Sequence, residues 1–265
     1  MKISIITCTW NSEPYLQQCI ESVACQDYPD IEHVFVDGGS TDGTLERIQA
    51  LGPSVRWVTN VRGGISNAMN EGVRLATGDV IAHLHGDDYY ADERAVSRAA
   101  EALERTGAGW VYGQCKTETD VGFRDGKTPP YSYRRLAVLG NFIPHPATFI
   151  RKPLFEQAGG FSTSLKCCMD YDLWLRLGRI EAPVVLDDFL AVFRMHDGSH
   201  SSTNECSCFE EDRQLRMSNL RDQPLSWRIH CWLLLQWTAL QVRRRAQQAA
   251  AAARCVAPDA AATRR

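Results

Sequence analysis

The chain has 265 residues, 44% of them hydrophobic, which is enough for one large core with or without a small appended piece. Its formal net charge of -3 at pH 7 argues against a general nucleic-acid binder, because such proteins carry a strong basic excess. The 10 cysteines include no Cys-x-x-Cys pair, so a zinc site and a small disulfide scaffold are disfavoured, and free thiols in a reducing cytosol are predicted.

The N-terminus leads straight into an alternating apolar run, without a long hydrophobic segment or a small-residue cleavage site, so no signal peptide is expected. The sequence contains no uninterrupted run of about 18–20 apolar residues, so a membrane span is not predicted either. Together these features favour a cytoplasmic location.

Residues 1–114 alternate between predicted strands and predicted helices. Strands are expected at 2–7, 31–36, 55–59, 80–84 and 110–114. Helices are expected at 15–25, 44–51, 66–76 and 92–105. Repeated strand–helix units of this size predict an α/β fold, with a mainly parallel sheet flanked by helices on both faces.

The second half of the sequence is less regular. The segment 118–133 is rich in glycine, proline and charge, which predicts a hairpin or a mobile loop. Short helices at 153–158 and 171–177 and strands at 184–186 and 191–194 are expected after it. From residue 205 the pattern becomes helical, and the Ala- and Arg-rich stretch 246–265 is predicted to be a frayed or disordered low-complexity tail.

Two adjacent carboxylates, Asp87 and Asp88, follow the fourth predicted strand, at the edge where open α/β sheets bind ligands. Such a pair is repulsive unless a cation lies between the two groups or one of them takes up a proton. A hard divalent metal is the usual cation, because it prefers oxygen ligands. Considered alone, the pair is equally consistent with a metal site and with a solvated loop.

The second predicted strand runs into a glycine-rich turn at residues 37–44. Its glycines permit a tight turn and a close approach of the backbone to a ligand. Asp37 could accept hydrogen bonds from a base or a ribose, and Ser40 or Thr41 could cap the next helix. A plain capped turn is the alternative.

The order and separation of these motifs resemble the family-2 inverting glycosyltransferases of the GT-A fold. The sequence Thr9-Trp10-Asn11 follows the first strand, residues 37–44 follow the second, and Gly86-Asp87-Asp88 follows the fourth. Further matches lie at 64–72, 145–149, 159–176 and 194–196, and the last of these continues to Ser199 and Ser201. The resemblance implies a GT-A domain at 1–204, with a nucleotide-sugar half at 1–115 and an acceptor half at 116–204.

The resemblance also implies roles for individual residues. Asp170 would be the general base, and Asp88 and His196 would bind Mn²⁺ or Mg²⁺. Contacts with the nucleotide-sugar donor would come from Thr9, Asn11, Asp37, Arg62, Asn70, Asp87 and Arg194.

Some positions depart from the family pattern or allow another interpretation. Arg62 stands where relatives often have an aspartate, so it could contact phosphate, and Gly38 stands where many have a second acid. Asp170 and Asp172 could each serve only the dipole of their helix, and for Asp172 this role at the helix N-terminus is favoured. His196 could instead be a structural histidine, and His83 is predicted to be buried by packing.

Residues 225–242 predict a helix with three tryptophans, followed by Arg243, Arg244 and Arg245. Two interpretations are equally consistent with this pattern: an interfacial helix on the inner face of a membrane, or a helix that packs on the domain or on another subunit. A helical extension is therefore expected at 205–245, and its tail at 246–265.

The sequence thus predicts a metal-dependent, inverting glycosyltransferase. It would move a sugar from a nucleotide-diphosphate sugar, with UDP favoured, to a saccharide or lipid-linked saccharide in surface polysaccharide or glycolipid assembly, without a nucleic-acid partner. One alternative is a catalytically degenerate nucleotide-binding or scaffold domain. The other is a nucleotidyltransferase, but that class usually has a Gly-rich basic loop after the first strand, and residues 9–13 lack one.

Overall fold

The structure, a computed structural model, describes residues 1–196 and 205–256. Its helices are α1 (Glu13–Ala24), α2 (Thr44–Gln49), α3 (Ile65–Leu75), α4 (Ala95–Thr106), α5 (Tyr133–Leu139), α6 (Lys152–Ala158), α7 (Met169–Ile180), α8 (Glu205–Asn219) and α9 (Leu225–Val256). Its strands are β1 (Ile3–Thr9), β2 (Ile31–Asp37), β3 (Arg56–Val58), β4 (Val80–His83), β5 (Tyr89–Tyr90), β6 (Trp110–Thr119), β7 (Gly122–Gly126), β8 (Thr148–Arg151) and β9 (Val184–Arg194). Ser199 and Ser201, which the sequence assigns to the closing motif, lie outside the described residues.

The described strands form one sheet, in the order β3-β2-β1-β4-β8-β6-β9-β5, and β7 pairs with β6. Strands β3, β2, β1 and β4 are parallel. Strand β8 enters between β4 and β6 and is antiparallel to both, whereas β9 is parallel to β6. The predicted α/β fold with a C-terminal helical part is confirmed, and the sheet is mixed because parallel pairing dominates only its first half.

Successive side chains of β1 point to opposite faces of the sheet, so the strand contributes to two separate core clusters. Ile3 and Ile5 belong to a cluster under α1 and α4, whereas Ile6 packs in a second cluster with α3 and α7. Met69 and Trp174 are buried in that second cluster. Because both faces are covered by helices, all seven residues of β1 are buried and the functional groups are confined to the ends of the strands.

Two elements differ from the sequence prediction. Segment 118–133 contains the expected hairpin, made by β6 and β7, but it leads into helix α5, whose N-cap Ser132 accepts a hydrogen bond from the N–H of Arg135. Strand β9 is continuous where two short strands were predicted, because its pairing with β6 runs past the exposed Asp187 and Asp188. Hydrophobic patterning does not detect pairing of this kind.

The prediction of free thiols is wrong for one pair of cysteines. Cys167 and Cys208 form a disulfide, with their Cα atoms 5.1 Å apart. Helix α8 packs against the turn before α7, where Glu211 accepts hydrogen bonds from the N–H groups of Lys166, Cys167 and Cys168. The two cysteines are 41 residues apart, so the local sequence pattern does not predict this contact. Free thiols are found at Cys8, Cys19, Cys25, Cys115, Cys168 and Cys231.

The C-terminal tail also differs from its prediction. Helix α9 continues to Val256, so residues 246–256 are helical rather than frayed, which is consistent with the high helix propensity of alanine. Residues 257–265 of the predicted tail lie outside the described part. Helix α9 packs on the domain through Cys231 and Leu235, which are buried. Among the described helices, none has both the length and the apolar content to cross a membrane.

Helix α3 can approach β1 closely because residue 72 is a glycine. A Cβ built at Gly72 would overlap Cγ2 of Ile6, a β-branched side chain with little freedom to move. We therefore expect Gly72→Ala to lower the free energy of unfolding by about 1–3 kcal/mol through overpacking. Arg74→Ala, at an exposed position of the same helix, is the control and should change it by less than about 0.5 kcal/mol. Urea unfolding of both variants measures this, and an unchanged midpoint for Gly72→Ala would contradict the packing.

Candidate active site

The carboxyl ends of β1 and β2 lie side by side, with Thr9 in register with Asp37. The Thr9 hydroxyl donates to Asp37, whose carboxylate also accepts hydrogen bonds from Gly39, Ser40 and Thr59. Burial alone would raise the pKa of Asp37, but these hydrogen bonds outweigh it and lower the pKa. Two carboxylate oxygens offer about four lone-pair sites, so little capacity remains for a ligand. Asp37 thus organises the turn, and its contact with a base stays a prediction.

Asn11 joins the ends of the same two strands. Its side-chain oxygen accepts from the N–H of Thr41, and its own N–H donates to the hydroxyl of Ser40, both at 2.9 Å. Ser40 and Thr41 are engaged by Asn11, so the prediction that one of them caps α2 is wrong. The N-cap of α2 is Gly43, and the carboxylate of the preceding Asp42 accepts a hydrogen bond from the N–H of Thr44 at the start of the helix.

Trp10 and Arg62 form an exposed shelf over this turn. Trp10 is 58% exposed, and the guanidinium carbon of Arg62 lies 5.5 Å from the centre of its ring. Gly38 permits this arrangement, since a Cβ there would meet the indole at 2.7 Å. Trp10 was not among the predicted site residues, although its position between Thr9 and Asn11 in the sequence could have identified it.

Asp88 is buried directly after β4 and is only 2% exposed. One of its oxygens accepts a hydrogen bond of 3.0 Å from the backbone N–H of Arg194. Burial raises the pKa of Asp88 well above its usual range, and the adjacent charge of Asp87 raises it further. Asp87 is more exposed, and its carboxylate lies 3.2 Å from Nε2 of His196.

The end of β9 brings Arg194 and His196 to the two aspartates. The Arg194 guanidinium donates to Glu118 at 3.0 Å and also to Gln18, and it lies over the rings of Tyr15 and Tyr89. The ring of His196 packs against Tyr15, with the ring centres 4.6 Å apart. None of these partners could be identified from the sequence, because they are distant along the chain.

Two neighbouring carboxylates offer the oxygen ligands that a hard divalent cation prefers, and the imidazole of His196 lies beside Asp87. A cation beside Asp88 would also offset the burial and the adjacent Asp87 charge that together raise its pKa. The described side chains contain no group of three that could hold a metal by themselves. Mg²⁺ is commonly bound through one or two carboxylates, with ligand phosphates and water completing its shell, so the residues fit this mode of binding.

Asp170 occupies the first turn of α7, where its carboxylate accepts hydrogen bonds from the N–H of Tyr171 and from the amide of Asn141. Burial is the larger effect and raises the pKa of Asp170 to about 6. Asp172 lies in the same turn, but its carboxylate forms an ion pair of 2.7 Å with Arg176. Asp170, with its raised pKa, is therefore the candidate general base in this turn.

Three histidines pack together near the end of β4. The ring centres of His83 and His145 are 5.6 Å apart, and those of His85 and His145 are 5.1 Å apart. Burial lowers the pKa of His83 to about 3, which confirms its predicted packing role. Asn70 lies nearby and uses both ends of its amide to bind the backbone of Phe161. This supports a role for Asn70 in holding that loop, and its contact with a donor stays a prediction.

Comparison with known sequences finds one family over much of the chain. Residues 4–160 match the family model for Glycosyl transferase family 2. An uncharacterized glycosyltransferase of Mycobacterium tuberculosis is 30% identical over 197 residues, which cover 72% of this chain and 74% of the relative. A PGL/p-HBAD biosynthesis glycosyltransferase of Mycobacterium bovis is 34% identical over 178 residues, covering 65% of this chain and 68% of the relative.

Solved structures share the fold. The chain resembles residues 1–349 of Staphylococcus aureus TarS in complex with UDP-GlcNAc, with a TM-score of 0.66, 22% identity and coverage of 87% of this chain and 69% of that one. It also resembles the mannosyltransferase PcManGT of Pyrobaculum calidifontis, solved with GDP-Man and Mn²⁺, with a TM-score of 0.60, 17% identity and coverage of 97% and 81%.

The raised pKa of Asp170 predicts a pH-dependent effect on stability. Between about pH 4 and pH 6 the unfolded chain loses this proton before the folded protein does, so the contribution of Asp170 to stability falls as pH rises. Asp170→Asn cannot ionise and should therefore be more stable than the native protein at pH 7.5, by roughly 1–2 kcal/mol after allowance for partial solvent exposure. The difference should disappear at pH 4.

Urea unfolding at the two pH values measures this effect. Asp172→Asn is the matched control, because it removes the ion pair with Arg176 and should not stabilise the protein at either pH. If the native protein is as stable as Asp170→Asn at pH 7.5, the ionised Asp170 carboxylate does not destabilise the fold, and the prediction is wrong.

Proposed function

Because the chain belongs to glycosyl transferase family 2, we propose that it transfers a sugar from a nucleotide-diphosphate sugar to a saccharide or lipid-linked saccharide acceptor. The observation that carries this proposal is the meeting of Thr9, Asp37, Asp88 and Arg194 at one edge of the sheet. Residues 1–115 would bind the donor and residues 116–204 the acceptor.

The shelf of Trp10 and Arg62 is suited to a nucleotide. An exposed indole offers a face on which a base can stack, and a guanidinium can pair with phosphate. Thr9 and Asn11 would line the same pocket from the first strand. UDP is our first choice of nucleotide on the order of the motifs, and the TarS fragment is solved with UDP-GlcNAc.

Asp88 and His196 would hold Mn²⁺ or Mg²⁺ with Asp87 beside them, and the bound cation would neutralise the charge of the departing diphosphate. Arg194 contributes a fixed positive charge beside the same groups, and its backbone N–H orients Asp88. PcManGT, which shares the fold, is solved with Mn²⁺.

Asp170 would act as the general base. As the acceptor hydroxyl oxygen attacks the anomeric carbon, its proton passes to the carboxylate of Asp170 and the bond from that carbon to the diphosphate oxygen breaks. The nucleoside diphosphate leaves, and a single displacement inverts the anomeric centre. A pKa of about 6 leaves Asp170 ionised at neutral pH while keeping it a stronger base than an ordinary aspartate.

The setting we propose is assembly of a surface polysaccharide or glycolipid in the cytoplasm. It is supported by the names of similar proteins, which include a PGL/p-HBAD biosynthesis glycosyltransferase and a chondroitin synthase of Pasteurella multocida. The match to the chondroitin synthase is 29% identical over 184 residues, which are 67% of this chain and 19% of that protein.

Asp170→Asn tests the assignment of the base. We expect kcat for sugar transfer or donor hydrolysis to fall by about 10²–10⁴-fold, with little change in KM, because the proton acceptor is lost while the donor pocket remains. In the native protein kcat/KM should fall as pH drops through about 6, where Asp170 takes up a proton. Steady-state kinetics with Mn²⁺ present measures both effects.

Asp172→Asn is the control for this assay, since Asp172 lies in the same helical turn but is paired with Arg176. Equal losses in the two variants would contradict the role of Asp170. Binding of UDP without turnover of any sugar donor would favour the scaffold alternative instead.

A further inference from the structure

Helix α9 has two faces of different chemistry. One face packs on the domain through Cys231 and Leu235. The opposite face exposes large apolar side chains at spacings of three or four residues, which places them on one side of the helix. These residues, here called the apolar face, are Leu225, Ile229, Trp232, Leu233, Trp237 and Leu240. Trp237 is 63% exposed, so this face is not covered by the described part of the chain.

A basic groove adjoins the N-terminal end of the apolar face. It encloses about 610 Å³ between α8 and the start of α9, and Arg213, Arg221 and Arg228 line it together with apolar side chains that include Leu165 and Met217. Arg228 lies one residue before Ile229 and four before Trp232. The groove and the apolar face therefore form one continuous surface.

The charge of this groove is only partly balanced. Arg213 is paired with Glu210, and Glu211 is occupied by three backbone N–H groups. Within residues 1–196 and 205–256, neither Arg221 nor Arg228 has an ion-pair partner at the distances that define the other pairs of the protein, although Asp222 is next in sequence. A chain with a net charge of -3 thus carries two uncompensated arginines beside its apolar helix.

We propose that the apolar face and the basic groove together dock on a lipid bilayer that contains anionic phospholipids. Tryptophan rings are favoured at the boundary between the headgroups and the acyl chains, where the apolar side chains of α9 would also be buried. Arg221 and Arg228 would contact phosphate headgroups. The helix would lie in the plane of the interface, which agrees with its inability to cross a membrane.

A second copy of the chain fits this surface less well. A symmetric contact through the apolar face would leave Arg221 and Arg228 without matching acids, because residues 225–256 contain no aspartate or glutamate. The anionic bilayer supplies the missing charge, so charge complementarity favours it. This inference goes beyond the proposed transfer reaction, because bilayer binding does not require a donor, a metal or turnover.

Sedimentation of the full chain with vesicles tests the proposal. We expect the partition coefficient to be about ten-fold or more higher for vesicles that contain phosphatidylglycerol than for vesicles of phosphatidylcholine alone, since each arginine near an anionic surface contributes favourably. The double variant Trp232→Ser/Trp237→Ser should bind both kinds of vesicle about ten-fold more weakly. The double variant Arg221→Gln/Arg228→Gln should lose the preference for anionic vesicles.

Phe123→Ser and Arg124→Gln are the matched controls, because both residues are exposed on β7 and neither belongs to the proposed surface. They should bind vesicles like the native protein, and unchanged melting temperatures would show that all variants fold. Equal partition of every variant would overturn the proposal. A dimer in sedimentation equilibrium that the tryptophan substitutions dissociate, without vesicle binding, would also overturn it and assign the apolar face to a second copy.

Discussion

The burial of the Asp88 carboxyl group beside Asp87 is the constraint on which the rest of the site depends. Two adjacent acids at the end of β4 are unfavourable in isolation, and burial makes an ionised Asp88 more so. The fold places Arg194 and His196 against them by returning strand β9 to this edge, more than 100 residues later in the chain. This arrangement is the basis of the proposed cation site.

The C-terminal helices contribute to the catalytic domain as well as extending it. Glu211 on α8 accepts hydrogen bonds from the turn that leads into α7, and the disulfide between Cys167 and Cys208 joins the same two segments. Asp170 lies three residues after Cys167, so contacts with the C-terminal helices help to fix its position. The family motifs do not include these helices. Helix α9 packs beside α8 and leaves its other face exposed, which links the proposed membrane contact to the helix that supports the proposed base.

Sequence reasoning was most successful where local chemistry decides the structure. The strand–helix alternation of the first half, the hairpin at β6 and β7 and the burial of His83 follow from periodicity and composition. It failed where partners are distant in sequence, as for the cysteine pair, the strand β8 between β4 and β6, and the hydrogen bonds of Asn70 to Phe161. The turn at Asp37 shows a third case, because competition among nearby polar groups, rather than propensity, decides that Asp42 and not Ser40 or Thr41 accepts the N–H of Thr44 at the start of α2.

Calorimetric titration of UDP, with and without Mn²⁺, tests the central claim most directly. If Asp88 and its neighbours form a cation site, Mn²⁺ should tighten the binding of UDP by about ten-fold or more, and Asp88→Asn should abolish this gain while leaving the metal-independent affinity nearly unchanged. Equal affinity of the native protein for UDP in the presence and absence of Mn²⁺, or an undiminished effect of Mn²⁺ in Asp88→Asn, would contradict the account.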